Sequence, residues 1–212
     1  MRKRTIFIVS PFLLMGLLIF ASSCTKDDDN DNGGNTSGYT DQRDGHVYQT
    51  VIIGNQEWMA ENLTYVPTNG NYCPYGNETG NVNTYGYLYD WQTALSVCPT
   101  GWHLPSDAEW TELTDYLGGI NFAGDKLKEA GTTHWKSPNT GATNETSFTA
   151  LPGGYRNNAG TFSTIRRFGY WWSATEKSTG SAWYRGMFYD DRYVDKHYTG
   201  KEWGFSVRCL KD

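Results

Sequence analysis

The spacing of apolar residues changes character along the chain. Residues 46–63 are rich in β-branched side chains and are interrupted by Gly54-Asn55, a turn signal, so this stretch predicts a β-hairpin. Apolar residues at helical spacing follow in the middle of the chain. From Phe148 onward the pattern changes to strands and turns. Helices in the first half and strands in the second half predict an α+β domain.

The clearest predicted helix begins after Ser106. Ser106 and Glu109 have the S-x-x-E spacing of a capping box, and Gly118-Gly119 are expected to end the helix. Its apolar stripe consists of Trp110, Leu113 and Leu117. Three less regular segments are a short helix at 89–96, a weaker helix at 122–130 and a long surface loop at 64–86.

The first 23 residues have the pattern of a bacterial export signal. Three basic residues precede an apolar run from Thr5 to Phe20, which is marginal in length for a transmembrane helix. The Ala-Ser-Ser-Cys that follows resembles a lipobox, in which Cys24 is acylated and becomes the mature N-terminus. The alternative is a plain secretion signal that is cleaved near Ala21.

The residues after Cys24 predict where the protein is anchored. Lys26 and the acidic run behind it resemble the signal that sends lipoproteins of the Bacteroidetes to the outer cell surface. We therefore expect an outer membrane lipoprotein that is surface-exposed and held by its lipid anchor.

Residues 24–45 predict an acidic, flexible tether. The segment 30–45 has almost no apolar side chains and cannot bury enough surface to offset the entropy lost on ordering. Its acidic run lacks the glycine and the distal glutamate of an EF-hand loop, so no calcium site is expected there. The domain is predicted to span 46–212, a length typical of one domain.

The charge balance excludes one class of partner. Three of the 18 basic residues lie in the leader, which leaves 15 against 23 acidic residues. Nucleic-acid binding needs clustered Lys and Arg at the phosphates, so no nucleic acid is expected as a partner.

Three cysteines remain in the domain: Cys73, Cys98 and Cys209. An exported chain permits disulfides, and three pairings are possible. We favour Cys98 with Cys209, a crosslink that would close most of the domain. The cysteines and histidines do not have the spacing of zinc ligands, so no metal is expected.

The stretch VCPTGWHLPSDAEW, residues 97–110, concentrates reactive residue types. His103 lacks partners at ligand spacing, and we expect backbone hydrogen bonds to hold it beneath the helix start. Asp107 and Glu109 occupy the first helical turn, where the helix dipole favours carboxylates. A nucleophilic Cys98 would need a low pKa and a nearby base, so a structural disulfide is favoured. No catalytic residue and no cofactor are predicted.

Aromatic side chains crowd the C-terminal part of the domain. Adjacent strand residues point to opposite faces, so Trp171 and Trp172 cannot both be core in a simple strand, and one is expected at a surface or an edge. Exposed aromatics beside charged residues can stack on sugar rings or grip a protein. The alternative is that they fill the core of a tryptophan-rich fold. The candidate ligand-binding residues are Trp171, Trp172, Trp183, Tyr189, Asp190, Arg192 and Tyr193.

Several motifs occur in a consistent order along the domain. They are DGHVYQTVIIGNQEWMAENL (44–63), YGYLYDW (85–91), VCPTGWHLPSDAEW (97–110), TALPGGYRNNAGTF (149–162), GYWWSATE (169–176), AWYR (182–185) and GFSVRCLKD (204–212). Together they resemble the Fibrobacter succinogenes major paralogous domain. The resemblance also places Cys98 and Cys209 where the helix-proximal and C-terminal cysteines of that family lie.

The resemblance implies an exported bacterial domain with a C-type lectin-like fold. That fold has two main helices packed on short twisted antiparallel sheets, paired N- and C-terminal strands, and a long loop region that carries ligand sites. The calcium motifs of sugar-binding C-type lectins are absent, as is the redox cysteine pair of the formylglycine-generating oxidase. The resemblance therefore implies the fold alone. It implies neither the calcium-dependent sugar binding of the lectins nor the cysteine redox chemistry of the oxidase.

These patterns predict a lipoprotein whose lectin-like domain binds a glycan or a protein partner and is not an enzyme. Two alternatives stay open. One is a structural subunit of a fimbria-like surface assembly, and the other is an enzyme acting on cell-surface or extracellular material. The enzyme would need a histidine, for instance His103 or His197, beside the carboxylates at 190–191 in one cleft.

Overall fold

The computed structural model describes residues 36–212. The predicted export signal, the lipidation site at Cys24 and the tether as far as residue 35 lie outside the described residues. None of the described helices is long and apolar enough to cross a membrane. The α-helices are α1 (Val82–Tyr85), α2 (Trp91–Val97), α3 (Asp107–Tyr116) and α4 (Ala123–Leu127). The strands are β1 (Thr36–Thr40), β2 (Val47–Ile53), β3 (Gln56–Met59), β4 (Tyr72–Pro74), β5 (Tyr87–Tyr89), β6 (Trp102–His103), β7 (Tyr155–Arg156), β8 (Phe162–Ser163), β9 (Phe168–Ser178), β10 (Ser181–Phe188), β11 (Val194–Gly200) and β12 (Leu210–Lys211).

A five-stranded antiparallel sheet joins the two ends of the domain in the order β1-β2-β3-β12-β6. β2 and β3 form the predicted hairpin, and Gly54 in its turn has a φ of 62°, which favours glycine. In β12, Leu210 lies opposite Trp58 of β3 on one side and His103 of β6 on the other. The predicted α+β class and the predicted pairing of the N-terminal hairpin with the C-terminal strand are therefore confirmed.

The ordered sheet begins inside the segment predicted to be a tether. β1 pairs with β2 over five positions, and Tyr39 packs on Trp102 with 5.1 Å between the ring centroids. An edge strand satisfies its backbone groups through its neighbour, so β1 needs few apolar side chains of its own. The sheet therefore includes residues 36–40, which were predicted to belong to the tether.

The three-stranded sheet, ordered β11-β10-β9, lies between two hydrophobic cores. The first core includes Trp58, Trp110 and Trp171, and the second core includes Tyr89, Trp172 and Phe205. Trp171 and Trp172 are both fully buried, so the expectation of one at a surface is wrong, although β9 is an edge strand of its sheet. Because a core covers each face of β9, consecutive residues of this strand are buried on opposite sides.

The helices follow the predicted pattern with shifted ends. Ser106 and Glu109 form the predicted capping box at the start of α3. α2 spans 91–97, close to the predicted 89–96. α4 covers only 123–127, because the backbone becomes extended at Lys128 and leaves the helix. The predicted loop at 64–86 contains β4, two short 3-10 helices and α1.

The predicted disulfide between Cys98 and Cys209 is present. It links the end of α2 to the strand segment before β12 across 111 residues. A loop of that length corresponds to about 4–5 kcal/mol in the chain-entropy account of crosslinks. Cys73 is a free thiol.

Candidate functional site

Neither Trp171 nor Trp172 is available to a ligand. The indole N–H of Trp171 donates to Asn62 Oδ1 at 2.8 Å, and that of Trp172 donates to the carbonyl of Tyr89 at 2.8 Å. Both side chains are therefore buried with their only polar atom satisfied. They hold β9 between the two cores, and the proposed binding role is withdrawn for this pair.

Trp183 is only half-buried and lies on the outer part of the three-stranded sheet. It faces Tyr198 of β11, which is 47% exposed, with 5.5 Å between the ring centroids. The ammonium groups of Lys177 and Lys196 lie 5.1 and 4.9 Å from the centroid of Trp183. Sequence reasoning singled out Trp183 but missed Tyr198 as its partner, which the strand register supplies.

The other candidate residues lie in the turn between β10 and β11: Tyr189, Asp190, Arg192 and Tyr193. This turn is tied to the body of the domain. Two N–H groups of Arg192 donate to Asp125 Oδ2 at 2.8 and 2.6 Å, so the guanidinium is already paired. Trp183 is six positions from Tyr189 along an extended strand, or about 20 Å at roughly 3.3 Å per residue. The structure therefore does not bring Trp183 and the turn into one site.

A buried lysine also holds this turn, through hydrogen bonds to backbone carbonyls. Lys128 is fully buried, and its ammonium donates to the carbonyl oxygens of Thr140, Phe188 and Asp191 at 3.0, 3.0 and 2.6 Å. Burial lowers the pKa of Lys128 to about 8. The three carbonyls place this lysine in a structural role that its sequence context does not reveal.

A polar cleft of about 390 Å³ opens where four segments of the chain meet. Gly204 lies in its floor, and its backbone N–H and carbonyl bond those of Arg156 at 2.8 and 3.0 Å. A Cβ at position 204 would lie 3.3 Å from the Cβ of Leu88 and 3.4 Å from that of Arg156. Glycine at 204 thus lets the chain lie close to Leu88 and Arg156, where a larger side chain would be crowded. We call this the Gly204 cleft.

The polar side chains of the Gly204 cleft fall into two groups. Asp90 is held in place, since one carboxylate oxygen accepts from the N–H of Thr93 at 2.8 Å and the other from Asn71 Nδ2 at 2.7 Å. The second group is uncommitted within the part of the chain that the structure describes, because its side chains make neither a hydrogen bond nor an ion pair there. Its charged and amide members are Asn77, Arg156, Asn158 and Glu202.

The sequence pattern of the family described as the Fibrobacter succinogenes major domain matches residues 51–211. The chain belongs to this family. No curated protein and no solved structure matches the chain. The matched range runs from within β2 to β12, so the first core, the disulfide and the Gly204 cleft all lie within the Fibrobacter succinogenes major domain, as does the second core except for Tyr48.

Cys73 borders the Gly204 cleft of this Fibrobacter succinogenes major domain without the features of a nucleophile. Burial raises the pKa of its thiol, and the neighbouring charge of Arg156 offsets only part of that effect. A raised pKa keeps the sulfur protonated and slow to react. Cys73 therefore contributes shape to the cleft wall, opposite Leu88 in the β4–β5 pair.

His103 is held by carboxylates and not by the predicted backbone hydrogen bonds. Its Nδ1 lies 2.7 Å from Asp212 Oδ1, and its Nε2 lies 3.0 Å from Glu109 Oε1. Burial alone would raise the pKa of Glu109, but bonds from Ser106 and His103 outweigh it and hold the pKa below its usual value. The imidazole therefore links the capping box of α3 to the C-terminal residue, a contact that spacing in the sequence does not indicate.

The enzyme alternative needs His103 or His197 beside Asp190 or Asp191. Both ring nitrogens of His103 are instead paired with Glu109 and Asp212. His197 stacks on the neighbouring ring of Tyr198 with 5.4 Å between centroids. Between residues 36 and 212 no group of three His, Cys, Asp or Glu residues is placed to hold a metal ion.

Sequence reasoning missed the residues of the Gly204 cleft. They come from segments that are up to 134 positions apart, from Gly70 to Gly204, and none of them belongs to a recognised binding motif. One feature of the sequence could have pointed to the cleft. Gly204 begins the motif GFSVRC, and a glycine in a strand marks the close approach of another group.

Proposed function

We propose that this protein is a surface-exposed lipoprotein whose Fibrobacter succinogenes major domain binds a glycan in the Gly204 cleft without chemical turnover. One observation carries the proposal. Uncommitted amide, guanidinium and carboxylate side chains line one cavity of about 390 Å³. Sugar hydroxyls both donate and accept hydrogen bonds, so a wall that offers both kinds of partner suits them.

The shape of the cleft favours a sugar over a flat protein surface. Its volume of about 390 Å³ lies within the range of small-ligand sites. The half-buried ring of Tyr72 is part of the lining, and the carbon face of a sugar ring can pack against an aromatic ring. Asp90 and Asn71 are held rigid by their own hydrogen bond, so a ligand would meet a partly preformed wall.

Binding without chemistry is favoured by the state of the cleft carboxylates. Hydrolysis of a glycosidic bond uses a pair of carboxyl groups as acid and base or nucleophile. Asp90 caps α2 and bonds Asn71, which leaves Glu202 as the uncommitted carboxylate among the described lining residues. A single free carboxylate supports recognition better than catalysis.

A glycan array with three matched variants tests the proposal. Gly204→Leu forces a side chain into the tightly packed position beside Leu88 and Arg156 in the cleft, and thermal unfolding checks that this variant is folded before its binding is measured. Gly180→Leu makes the same change at a glycine with open space around it and serves as the control. Trp183→Ala removes the half-buried aromatic of the other candidate surface.

The proposal expects wild type, Gly180→Leu and Trp183→Ala to bind the same glycans, whereas Gly204→Leu loses binding. Loss in Trp183→Ala with retention in Gly204→Leu would move the site to the outer face of β10 and overturn the cleft assignment. A wild-type protein that binds no glycan on an array of mammalian, plant and bacterial sugars would contradict the glycan proposal itself.

A further inference from the structure

A second cavity, of about 280 Å³, lies elsewhere in the domain and shares no lining residue with the Gly204 cleft. Its wall includes the guanidinium-bearing residue Arg208, which is only 1% exposed. A buried charge is costly unless a counter-charge and hydrogen bonds offset the loss of water. The partners of Arg208 therefore decide what this cavity can hold.

Arg208 has neutral partners only. Its Nη2 donates to Asn62 Oδ1 at 2.9 Å and to the carbonyl of Thr149 at 3.3 Å, and its Nη1 donates to the carbonyl of Phe148. The guanidinium also lies 4.3 Å from the centroid of the Phe148 ring. Within residues 36–212 it makes no ion pair, and its Nε is buried without a hydrogen-bond partner.

The other charged groups around this cavity are already engaged. The carboxylate of Glu61 accepts from the N–H of Gln49 at 2.9 Å and faces His46 at 3.7 Å. The imidazole of His134 bonds Glu129 at 2.7 Å. The charge of Glu61 acts on Arg208 without a hydrogen bond between them, so the guanidinium is left without a bonded carboxylate beside a space large enough for a small molecule.

Uncommitted neutral groups complete the wall. The side chains of Asn83 and Thr84, on α1, line the cavity and form no hydrogen bond within the described part of the chain. They are positioned beside Asn62 because Gly86 lets the chain pass close to it. A Cβ at position 86 would lie 2.7 Å from the carbonyl oxygen of Leu63 and 2.9 Å from Asn62 Cβ.

We propose that this cavity is a binding site for a small carboxylate ligand, whose negative charge pairs with the Arg208 guanidinium. One carboxylate oxygen would accept from the Nε–H of Arg208, which has no partner among the described residues, and the other oxygen would accept from the hydroxyl and amide groups of Thr84 and Asn83. The inference does not depend on glycan binding in the Gly204 cleft, and it assigns a separate ligand to a separate cavity.

Thermal unfolding in sodium formate, with sodium chloride as a reference at equal ionic strength, tests this site. We expect a saturable rise in Tm for the wild type, of about 3–6 °C when formate reaches ten times its dissociation constant. Asn62→Asp places a carboxylate against Arg208 Nη2 and should remove the dependence on formate. Thr84→Trp fills the cavity from α1 and should remove it as well, whereas Thr84→Ser keeps the cavity open and should retain it.

Each shift is measured within one variant, so a change in the basal stability of that variant does not hide the result. Equal shifts in wild type, Asn62→Asp and Thr84→Trp would overturn the site, because a general salt effect would then explain them. Absence of a saturable shift in the wild type would also overturn the carboxylate site. A water molecule would then be left as the partner of the Arg208 Nε. Equal shifts with formate and chloride would overturn the assignment to a carboxylate.

Discussion

Breaking the ion pair between Asp107 and Arg185 from one side is expected to destabilise the domain. Arg185 is 1% exposed, and its Nη1 donates to Asp107 Oδ1 at 2.7 Å. Its Nη2 also donates to the backbone carbonyl of Asp107 at 3.1 Å, so the guanidinium of β10 is fixed to the first turn of α3. Removal of the carboxylate charge leaves a buried cation without its counter-charge.

The substitution Asp107→Asn keeps the shape of the side chain and removes the charge. Breaking a buried ion pair from one side costs about 3–5 kcal/mol. The Asp107 side chain is 19% exposed and is also bonded by the half-exposed Lys196. Partial exposure reduces the cost, so we expect about 3 kcal/mol. For a domain of this size that corresponds to a fall in Tm of roughly 6–12 °C.

Urea unfolding followed by tryptophan fluorescence measures this change, because Trp110 and Trp171 lie in the first core. Asp115→Asn is the matched control, since Asp115 is an exposed aspartate of the same helix and should change stability by no more than about 0.5 kcal/mol. A cost for Asp107→Asn that is no larger than that of the control would refute the reasoning.

The pH dependence provides a second measurement of the same pair. Burial alone would raise the pKa of Asp107, but the bonds from Lys196 and Arg185 outweigh it, and the pKa is lowered from 3.8. A folded-state pKa below the unfolded value contributes stability above about pH 4, and this stability is lost as the pH falls further. The difference between wild type and Asp107→Asn should therefore shrink as the pH falls from 6 to below 4. A constant difference over that range would contradict a lowered pKa of Asp107 in the folded state.

Two further comparisons test the described packing and crosslink. Trp171→Ala empties a fully buried site and should lower the free energy of unfolding by about 3–5 kcal/mol in urea. Trp183→Ala changes a half-buried residue and should lower it by less than about 2 kcal/mol. Equal losses would contradict the placement of β9 between two cores. Cys209→Ser should cost about 2–5 kcal/mol and Cys73→Ser less than about 1 kcal/mol, as measured by thermal unfolding. A wild-type Tm that does not change on reduction would show that the disulfide contributes nothing.

The hairpin and the capping box show what local sequence predicts well. The turn at Gly54 and the bonds between Ser106 and Glu109 involve residues three or fewer positions apart, so their spacing alone is informative. The end of α4 is different. Lys128 leaves the helix while its ammonium binds carbonyls from two remote loops, and these partners have no local signature.

The edge strand and the tryptophan pair show where the same reasoning is wrong. Residues 36–40 carry few apolar side chains, yet they form β1 because the backbone of β2 supplies their hydrogen bonds. Trp171 and Trp172 alternate as a strand requires, and both are buried because each face of β9 meets a core. Alternation predicts the faces of a strand and does not predict what covers them.

The sequence by itself determined the family, the α+β class and the elements whose signals lie within a few residues of one another. The tertiary structure alone decided which groups are free to bind. It placed a glycine between Leu88 and Arg156 in a polar cleft, and it buried Arg208 beside an open cavity without a carboxylate partner. The physical reason is that the exposure and pairing of a side chain depend on remote segments that the fold brings into contact. Local sequence patterns do not predict these contacts.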